Sequence, residues 1–215
     1  MHEWLIEKTE HIVVLFDMCS STEIFENLLE NRVETQFLEL WDELRQLLYE
    51  RSSFDTLYGH LELPRMDFIP NKFTGDGWLL IFPPETDALP LLKLLHHVSQ
   101  RFASRFQSEI LPFLTSSLST GLRFGMDCGF TYRFKMFELP EYIDALVMTA
   151  ARLQEALKNF DQSSGSRLLV SSECYERKFA GCPGLEPYRP ESVRPTIRAP
   201  GRHGQTDCVV FTLPR

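Results

Sequence analysis

Two aspartates stand where apolar runs end, and this pairing constrains the chain more than any other feature. The run HIVVLFD (11–17) is long enough for one buried strand and ends in Asp17. The second acid, Asp76, lies between Gly75 and Gly77, just before the apolar WLLIF. Glycine on both sides permits a tight hairpin with positive φ and a carboxylate at its tip. The sequence therefore predicts two carboxylates at the ends of neighbouring strands.

The residues after Asp17 are mostly small and polar, which favours the start of a helix. They are Met18, Cys19, Ser20, Ser21 and Thr22. The free N–H groups at a helix N-terminus bind phosphate, and two nearby carboxylates can hold divalent metal ions beside a triphosphate. Each half also has a structural interpretation, since Asp-Gly is a common hairpin turn and Asp before Ser or Thr is a common cap.

Composition limits the class of protein. A chain of 215 residues that is 43% hydrophobic can bury a full core, and we expect one domain over residues 1–215. The net charge of −8 argues against a nucleic-acid partner. Five cysteines without a Cys-x-x-Cys spacing fit a reducing compartment. There is no signal-peptide pattern and no apolar run of membrane-spanning length, so we expect a soluble, cytoplasmic protein without membrane partners.

Hydrophobic spacing predicts elements in the order β-α-α-β-β-α-β-β-α-β, followed by a last strand. Predicted helices span 20–31, 33–52, 86–107 and 142–158; predicted strands span 11–17, 67–74, 78–82, 121–130, 131–137, 167–171 and 208–213. The strand over 131–137 is expected to pair back on 121–130, and residues 183–204 are expected to form a loop. This order favours an α+β fold with a ferredoxin-like βαββαβ core, a mostly antiparallel sheet and helices on one face.

Four blocks, in this order along the chain, resemble the class III nucleotidyl cyclase domain. They are the segment around Asp17, KFTGDG around Asp76, LRFGMDCG (122–129) and VMTAARL (147–153). The resemblance covers roughly residues 10–213. It implies an enzyme in which the ribose 3′-oxygen of a nucleoside triphosphate attacks its own α-phosphorus and expels pyrophosphate.

The resemblance also implies the site. Asp17 and Asp76, with backbone atoms of Met18, would hold two divalent ions, Mn²⁺ or Mg²⁺. The predicted substrate-binding residues around the first strand end are Phe16, Cys19, Ser20, Ser21 and Thr22. Arg152 resembles the family arginine that stabilises the transition state in the partner subunit's site, which implies a homodimer with composite sites.

One position departs from the family. Met148, one helical turn before Arg152, stands where an asparagine normally orients the ribose, and a thioether cannot donate that hydrogen bond. Thr149 or another residue substitutes for the asparagine, or the sugar is held differently. A degenerate domain that binds nucleotide without turnover is therefore an alternative.

The base-reading positions are half matched. Lys72 aligns with the lysine that adenylate cyclases use on adenine, and Glu141 lies where they carry aspartate or threonine. A donor and an acceptor can satisfy adenine, uracil or cytosine, and a loose surface salt bridge explains the pair equally well. Arg198 and Arg202 lie where the family often places a cation for the triphosphate, although each also fits a solvated loop.

The layout most resembles the stand-alone bacterial pyrimidine cyclases of Pycsar antiphage defence. Their cyclic UMP or cyclic CMP triggers a separate effector protein. The bare single domain, Met148 and an aromatic insertion around Phe54, Tyr58 and His60 favour this branch, with UTP preferred to CTP. Within the class the alternative is an adenylate cyclase, which Lys72 supports.

Overall fold

The structure is a computed structural model that describes residues 6–52, 66–114, 118–136, 139–160, 164–199 and 202–214. The aromatic insertion around Phe54, Tyr58 and His60 lies outside these residues. Within them, no helix is both long enough and apolar enough to cross a membrane.

The described residues form ten strands and five α-helices. The strands are β1 (Glu7–Met18), β2 (Ile69–Phe73), β3 (Gly77–Phe82), β4 (Leu122–Met136), β5 (Leu139–Ile143), β6 (Ser166–Ser171), β7 (Glu191–Val193), β8 (Thr196–Ala199), β9 (Arg202–Gln205) and β10 (Cys208–Leu213). The α-helices are α1 (Ser21–Glu30), α2 (Thr35–Arg51), α3 (Ala88–Arg105), α4 (Ala145–Phe160) and α5 (Ser172–Lys178). Short helical turns of other types span Phe106–Ile110, Leu111–Phe113 and Glu186–Tyr188.

An eight-stranded sheet organises the chain. Its order is β2-β3-β1-β4-β6-β10-β7, and β5 pairs with β4. The pairings are antiparallel except that of β4 with β6, which α4 connects as a crossover. β8 and β9 form a separate two-stranded ribbon. The predicted α+β fold with a mostly antiparallel sheet is confirmed.

The helices cover both faces of the sheet. Alternate residues of the central strand, including Val14 and Phe16, face a large core that contains buried residues of α1, α2, α3 and α5. The intervening Val13 faces Leu146 and Ala150 of α4 on the opposite side. The expectation that the helices share one face is therefore wrong for α4, because a strand buried on both sides needs cover on both.

The helix over Ala145–Phe160 lies unusually close to the sheet. A Cβ at Gly125 of β4 would overlap the carbonyl of Ala150 and the backbone of Gln154, so only glycine permits this approach. Buried Leu153 and Leu157 complete the contact with the sheet.

Several sequence predictions are confirmed and others are wrong in their bounds. The helices predicted at 20–31, 33–52 and 86–107 are present, as are the strands at 11–17, 78–82, 167–171 and 208–213. The hairpin predicted within 121–137 is instead one strand, β4, because β1 pairs with it as far as Arg133 and no turn interrupts the alternation. The strand that pairs back is β5.

The predicted helix at 142–158 begins later, at Ala145. Tyr142 belongs to β5, and the carbonyl of Asp144 accepts the first intrahelical hydrogen bond, from the backbone N–H of Met148 at 3.2 Å. The predicted loop at 183–204 contains β7, which pairs with β10, and the ribbon of β8 and β9. The sequence reasoning also missed α5, whose cap is the hydroxyl of Ser171, 3.2 Å from the backbone N of Cys174.

Candidate active site

The two predicted acids meet at one end of the sheet. Asp17 lies opposite Gly77 in the ladder of β1 and β3, and Asp76 occupies the turn just before Gly77. The backbone N–H of Thr74 donates to the Gly77 carbonyl at 3.0 Å and closes this turn, while Gly75 takes the predicted positive φ of 104°. The structure therefore brings the two carboxylate-bearing residues to adjacent strand ends.

Asp17 is a buried carboxylate with an unsatisfied oxygen. The residue is 8% exposed, and its Oδ1 has no hydrogen-bond partner. Burial raises the pKa of the carboxyl to about 6; the Lys158 ammonium opposes this shift, and the Asp76 carboxylate adds to it. An orphaned buried carboxylate oxygen next to a second carboxylate is the environment that a divalent cation would satisfy, so the residues present fit a metal site.

Asp76 is oriented by the start of α1. The hydroxyl of Ser21 donates to Asp76 Oδ2 at 2.5 Å. Ser20 precedes the helix in a left-handed conformation with φ of 54°, and its side chain makes no capping hydrogen bond. The first N–H groups of a helix have no intrahelical partners, and the first such bond here runs from the N–H of Ile24 to the Ser20 carbonyl. The N–H groups of residues 21–23 are therefore available to an anion.

For three other residues predicted at this end of the sheet, the structure limits which atoms could contact substrate or metal. The Phe16 side chain is fully buried and packs on Phe124, with ring centroids 5.0 Å apart, so only its main chain could face substrate. The backbone N–H of Met18 donates to the Asp76 carbonyl, which leaves the Met18 carbonyl oxygen as its possible metal ligand. The backbone N–H of Cys19 already donates to Gly121 at 2.9 Å, and burial raises the pKa of its thiol to about 11.

Arg152 lies away from these acids in its own chain. Its guanidinium pairs with Glu155 at 2.5 Å and lines a groove of about 660 Å³ between α4 and the segment 194–198. Arg194 and Arg198 line the same groove. The structure therefore brings Arg152 and Arg198 together, whereas Arg202 is described only as the first residue of β9.

The structure also bears on the missing ribose asparagine. Met148 is 51% exposed, one turn before Arg152 on α4. Thr149 is buried, and its hydroxyl donates to the Ala145 carbonyl at 2.7 Å. Because this hydroxyl is engaged inside the helix, Thr149 does not present a donor at the surface.

The two predicted base-reading residues lie on different strands. Lys72 is exposed on β2 beside an irregularity in its pairing with β3, and Glu141 is half-buried on β5. β3 and β1 separate β2 from β4, on which β5 pairs. Both residues are in the described part of the chain, and no hydrogen bond or ion pair joins them there.

Two cations beside Asp17 escaped the sequence reasoning. Lys158 Nζ lies 3.4 Å from Asp17 Oδ2, and Arg123, 8% exposed, lies opposite Asp17 in the ladder of β1 and β4. A charged residue inside the otherwise apolar LRFGM is a signal that could have identified Arg123. No comparable signal marks Lys158, which is one of several polar residues on the exposed face of α4.

Comparison with known proteins identifies the fold. No family model and no curated protein sequence matches the chain. Among solved structures, the adenylyl cyclase CyaB from P. aeruginosa matches with a TM-score of 0.66 at 17% identity, over 98% of this chain and 97% of that one. A bacterial light-regulated adenylyl cyclase matches with a TM-score of 0.65 at 12% identity, over 97% of this chain but only 53% of that one.

A third match comes from a guanylate cyclase. The guanylate cyclase domain of RhGC from Catenaria anguillulae, in complex with GTP, has a TM-score of 0.54 at 15% identity, over 97% of this chain and 100% of that one. The chain therefore has the fold of nucleotidyl cyclase domains. Its structural neighbours include adenylyl and guanylate cyclases and a class III adenylyl cyclase-like ATP-binding protein from Pseudomonas aeruginosa, so the fold favours neither purine.

Proposed function

We propose that this protein is a nucleotidyl cyclase that converts a nucleoside triphosphate to a 3′,5′-cyclic nucleotide and pyrophosphate. The observation that carries the proposal is the meeting of Asp17 and Asp76 at one sheet end, with an unpaired buried oxygen on Asp17, in the cyclase fold. In the reaction, a bond forms between the ribose 3′-oxygen and the α-phosphorus. The bond between the α-phosphorus and the oxygen that bridges it to the β-phosphate breaks. The 3′-hydroxyl loses its proton, and pyrophosphate leaves.

The side chains at the sheet end would hold metal and phosphates. Asp17, Asp76 and the Met18 carbonyl would hold two divalent ions, Mn²⁺ or Mg²⁺. When bound, such ions acidify the 3′-hydroxyl and neutralise the triphosphate charge. Ser21 keeps the Asp76 carboxylate oriented, and the first N–H groups of α1 bind phosphate oxygens.

We also propose that the active site is shared between two copies of the chain. Arg152 lies six residues before Lys158 on α4, roughly 9 Å along the helix axis. Lys158 is the residue of α4 that reaches Asp17, so Arg152 points elsewhere in its own chain. In a homodimer, the Arg152 guanidinium would meet the phosphates held by the partner's acids, and Arg198 in the same groove would add positive charge.

For the base we propose a pyrimidine, UTP before CTP. Lys72 can donate to a ring carbonyl of uracil while Glu141 accepts N3–H, which leaves neither group unpaired. The product would serve as a second messenger in antiphage defence and act on a separate effector protein. Lys72 equally supports adenine, so an adenylate cyclase is the second candidate. Met148 supports a third, a domain that binds nucleotide without turnover.

One experiment separates these candidates. The purified protein is incubated with all four NTPs and Mn²⁺, the products are identified by mass, and pyrophosphate is quantified. Cyclic UMP as the main product supports the proposal. Mainly cyclic AMP or cyclic GMP overturns the pyrimidine assignment but leaves the cyclase class intact. No pyrophosphate from any NTP favours the binding-only domain.

Point variants test the metal ligands in the same assay. Asp17→Ala and Asp76→Ala should each lower turnover by more than about 10³-fold, since each would remove a carboxylate that holds the metal ions. Asp87→Ala is the matched control, because Asp87 is an exposed acid whose side chain makes no capping hydrogen bond. Substantial turnover in either folded site variant would overturn the two-metal assignment.

A further inference from the structure

The ammonium group of a lysine in the same chain lies beside the Asp17 carboxylate. Lys158 Nζ lies 3.4 Å from Asp17 Oδ2, whereas Oδ1 of the same carboxylate has no partner. The Lys158 side chain is 51% exposed and the Asp17 side chain only 11%. A half-exposed ammonium therefore compensates the charge of a buried carboxylate from the solvent side.

The position of this lysine is fixed by the packing of α4. Leu153 and Leu157 are buried against the sheet, and the absence of a side chain at Gly125 lets the helix lie close to it. The backbone of Lys158 is thus held beside the end of β1. Its four-carbon stem is long and flexible, so the ammonium can leave Asp17 without any movement of the helix.

We propose that Lys158 is an internal counter-ion that holds Asp17 while the site lacks metal and is displaced from Oδ2 when a divalent ion binds. The inference rests on the proposed function, because it assumes that Asp17 is a metal ligand. An ammonium at Oδ2 and a divalent cation at Oδ1 of the same carboxylate would repel each other, so metal binding favours departure of the ammonium from Oδ2. Lys158 then weakens metal affinity while it protects the buried carboxylate.

Arg123 is the second cation near Asp17, but it is less free than Lys158 to leave the carboxylate. Arg123 is 8% exposed within β4, so its guanidinium is confined by the sheet. The exposed Lys158 is the one of the two that can move into solvent at little cost. Removal of the Lys158 charge should therefore remove most of the competition with the metal ion for the Asp17 carboxylate.

Metal titration of the full chain at one fixed pH tests the proposal. Mn²⁺ alone is titrated into wild type, Lys158→Gln, Lys158→Met, Lys158→Arg and Asp17→Asn, with free Mn²⁺ measured by electron paramagnetic resonance. Both neutral variants should bind Mn²⁺ about two- to fivefold more tightly, the range for loss of a half-exposed ion pair. Lys158→Arg should bind like wild type, because it keeps the charge.

Two further measurements complete the design. Lys93→Gln is the matched control, an exposed lysine on α3, and it should leave Mn²⁺ affinity unchanged. The rise in melting temperature on adding saturating Mn²⁺ should be larger in Lys158→Gln than in wild type, because the metal-free variant has lost the counter-ion of Asp17. This second readout does not depend on turnover.

The outcomes distinguish failure of the counter-ion role of Lys158 from failure of the metal site at Asp17. If Asp17→Asn abolishes Mn²⁺ binding but the neutral Lys158 variants bind no more tightly than wild type, the counter-ion role is wrong and the metal site stands. If Asp17→Asn binds Mn²⁺ like wild type, or wild type binds none, the proposed metal site itself is wrong and the counter-ion role falls with it.

Discussion

The backbone N–H of Met18 donates a hydrogen bond to the carbonyl oxygen of Asp76 at 3.0 Å. This bond continues the ladder of β1 and β3 one step beyond the pairing of Asp17 with Gly77. The separation of the two acids is consequently set by main-chain pairing and not by their own side chains. The carboxylates are therefore positioned before any ligand arrives, which lowers the cost of binding one.

Because of this arrangement, Gly77 is the glycine of the site whose substitution should do the most damage. A Cβ at position 77 would overlap the carbonyl of Phe16 and approach the Cα of Asp17, so Gly77→Ala must push β3 away from β1. We expect the variant to lose about 3 kcal/mol of unfolding free energy and nearly all turnover. Urea denaturation and pyrophosphate release measure the two effects.

Gly75→Ala is the matched control for that change. Gly75 has a φ of 104° but open space around its missing side chain, so alanine there meets backbone strain without a clash. We expect a loss of about 1 kcal/mol. A Gly77→Ala variant no less stable than Gly75→Ala would contradict the steric role assigned to Gly77.

The charge of Asp17 should lower the stability of the metal-free protein. Its folded-state pKa of about 6 lies above the ordinary value of 3.8, chiefly because of burial. The folded protein therefore binds more protons than the unfolded chain between these values, and the free energy of unfolding falls as pH rises through this window. At pH 7.5, Asp17→Asn should be more stable than wild type by on the order of 2 kcal/mol.

Denaturation in the presence of a chelator, at pH 4 and pH 7.5, checks this expectation. The advantage of Asp17→Asn should shrink towards pH 4, where the wild-type carboxyl is protonated as well. Asp87→Asn, an exposed acid, should show no such pH-dependent gain. An Asp17→Asn variant less stable than wild type at pH 7.5 would mean that Lys158 and Arg123 outweigh the burial of the carboxylate.

The local parts of the site could be predicted from the sequence. Asp17 and Asp76 each end or begin a short apolar run, and Gly75 permits the turn between strands, so neighbouring residues alone carry the signal. The same local signal misplaced the hairpin within 121–137. Alternation of apolar and polar residues specifies a strand but not where it ends; pairing with β1 as far as Arg133, and with β5 beyond it, carries β4 through to Met136.

The cations of the site depend on packing that a single sequence does not encode locally. Lys158 reaches Asp17 because α4 crosses the sheet on the face opposite the other α-helices. Periodicity identifies the exposed residues of a helix but not the strand end that they meet.

Complementation between two inactive variants tests the shared site. Arg152→Ala removes the cation from one half of each proposed composite site, and Asp17→Ala removes the metal ligand from the other. When the two proteins are mixed in equal amounts and exchange subunits, half of the dimers are mixed and carry one intact site. Activity should return to about a quarter of the wild-type level.

The control for complementation uses two lesions in the same half of the site. A mixture of Asp17→Ala with Asp76→Ala contains no dimer with an intact site, because each chain keeps one damaged acid, and it should stay inactive. Absence of recovery in the Arg152→Ala mixture, with subunit exchange demonstrated by mass, would rule out the shared site. Equal recovery in both mixtures would do so as well.

Restoring a donor at Met148 tests how the ribose is held. Met148 is 51% exposed on α4, one turn before Arg152, and Thr149 presents no hydroxyl there. In the proposed homodimer, a donor at position 148 would be available to the partner's substrate. Met148→Asn should raise kcat by about two- to tenfold, the net worth of one added hydrogen bond.

Met148→Leu, which is apolar and of similar size, should leave kcat unchanged, and Thr149→Val should change it less than about twofold because its hydroxyl serves the helix. Single-turnover measurements with the preferred triphosphate separate this effect from product release. If Met148→Asn is no faster than Met148→Leu, the ribose is held by a different part of the protein, and position 148 has no part in orienting it.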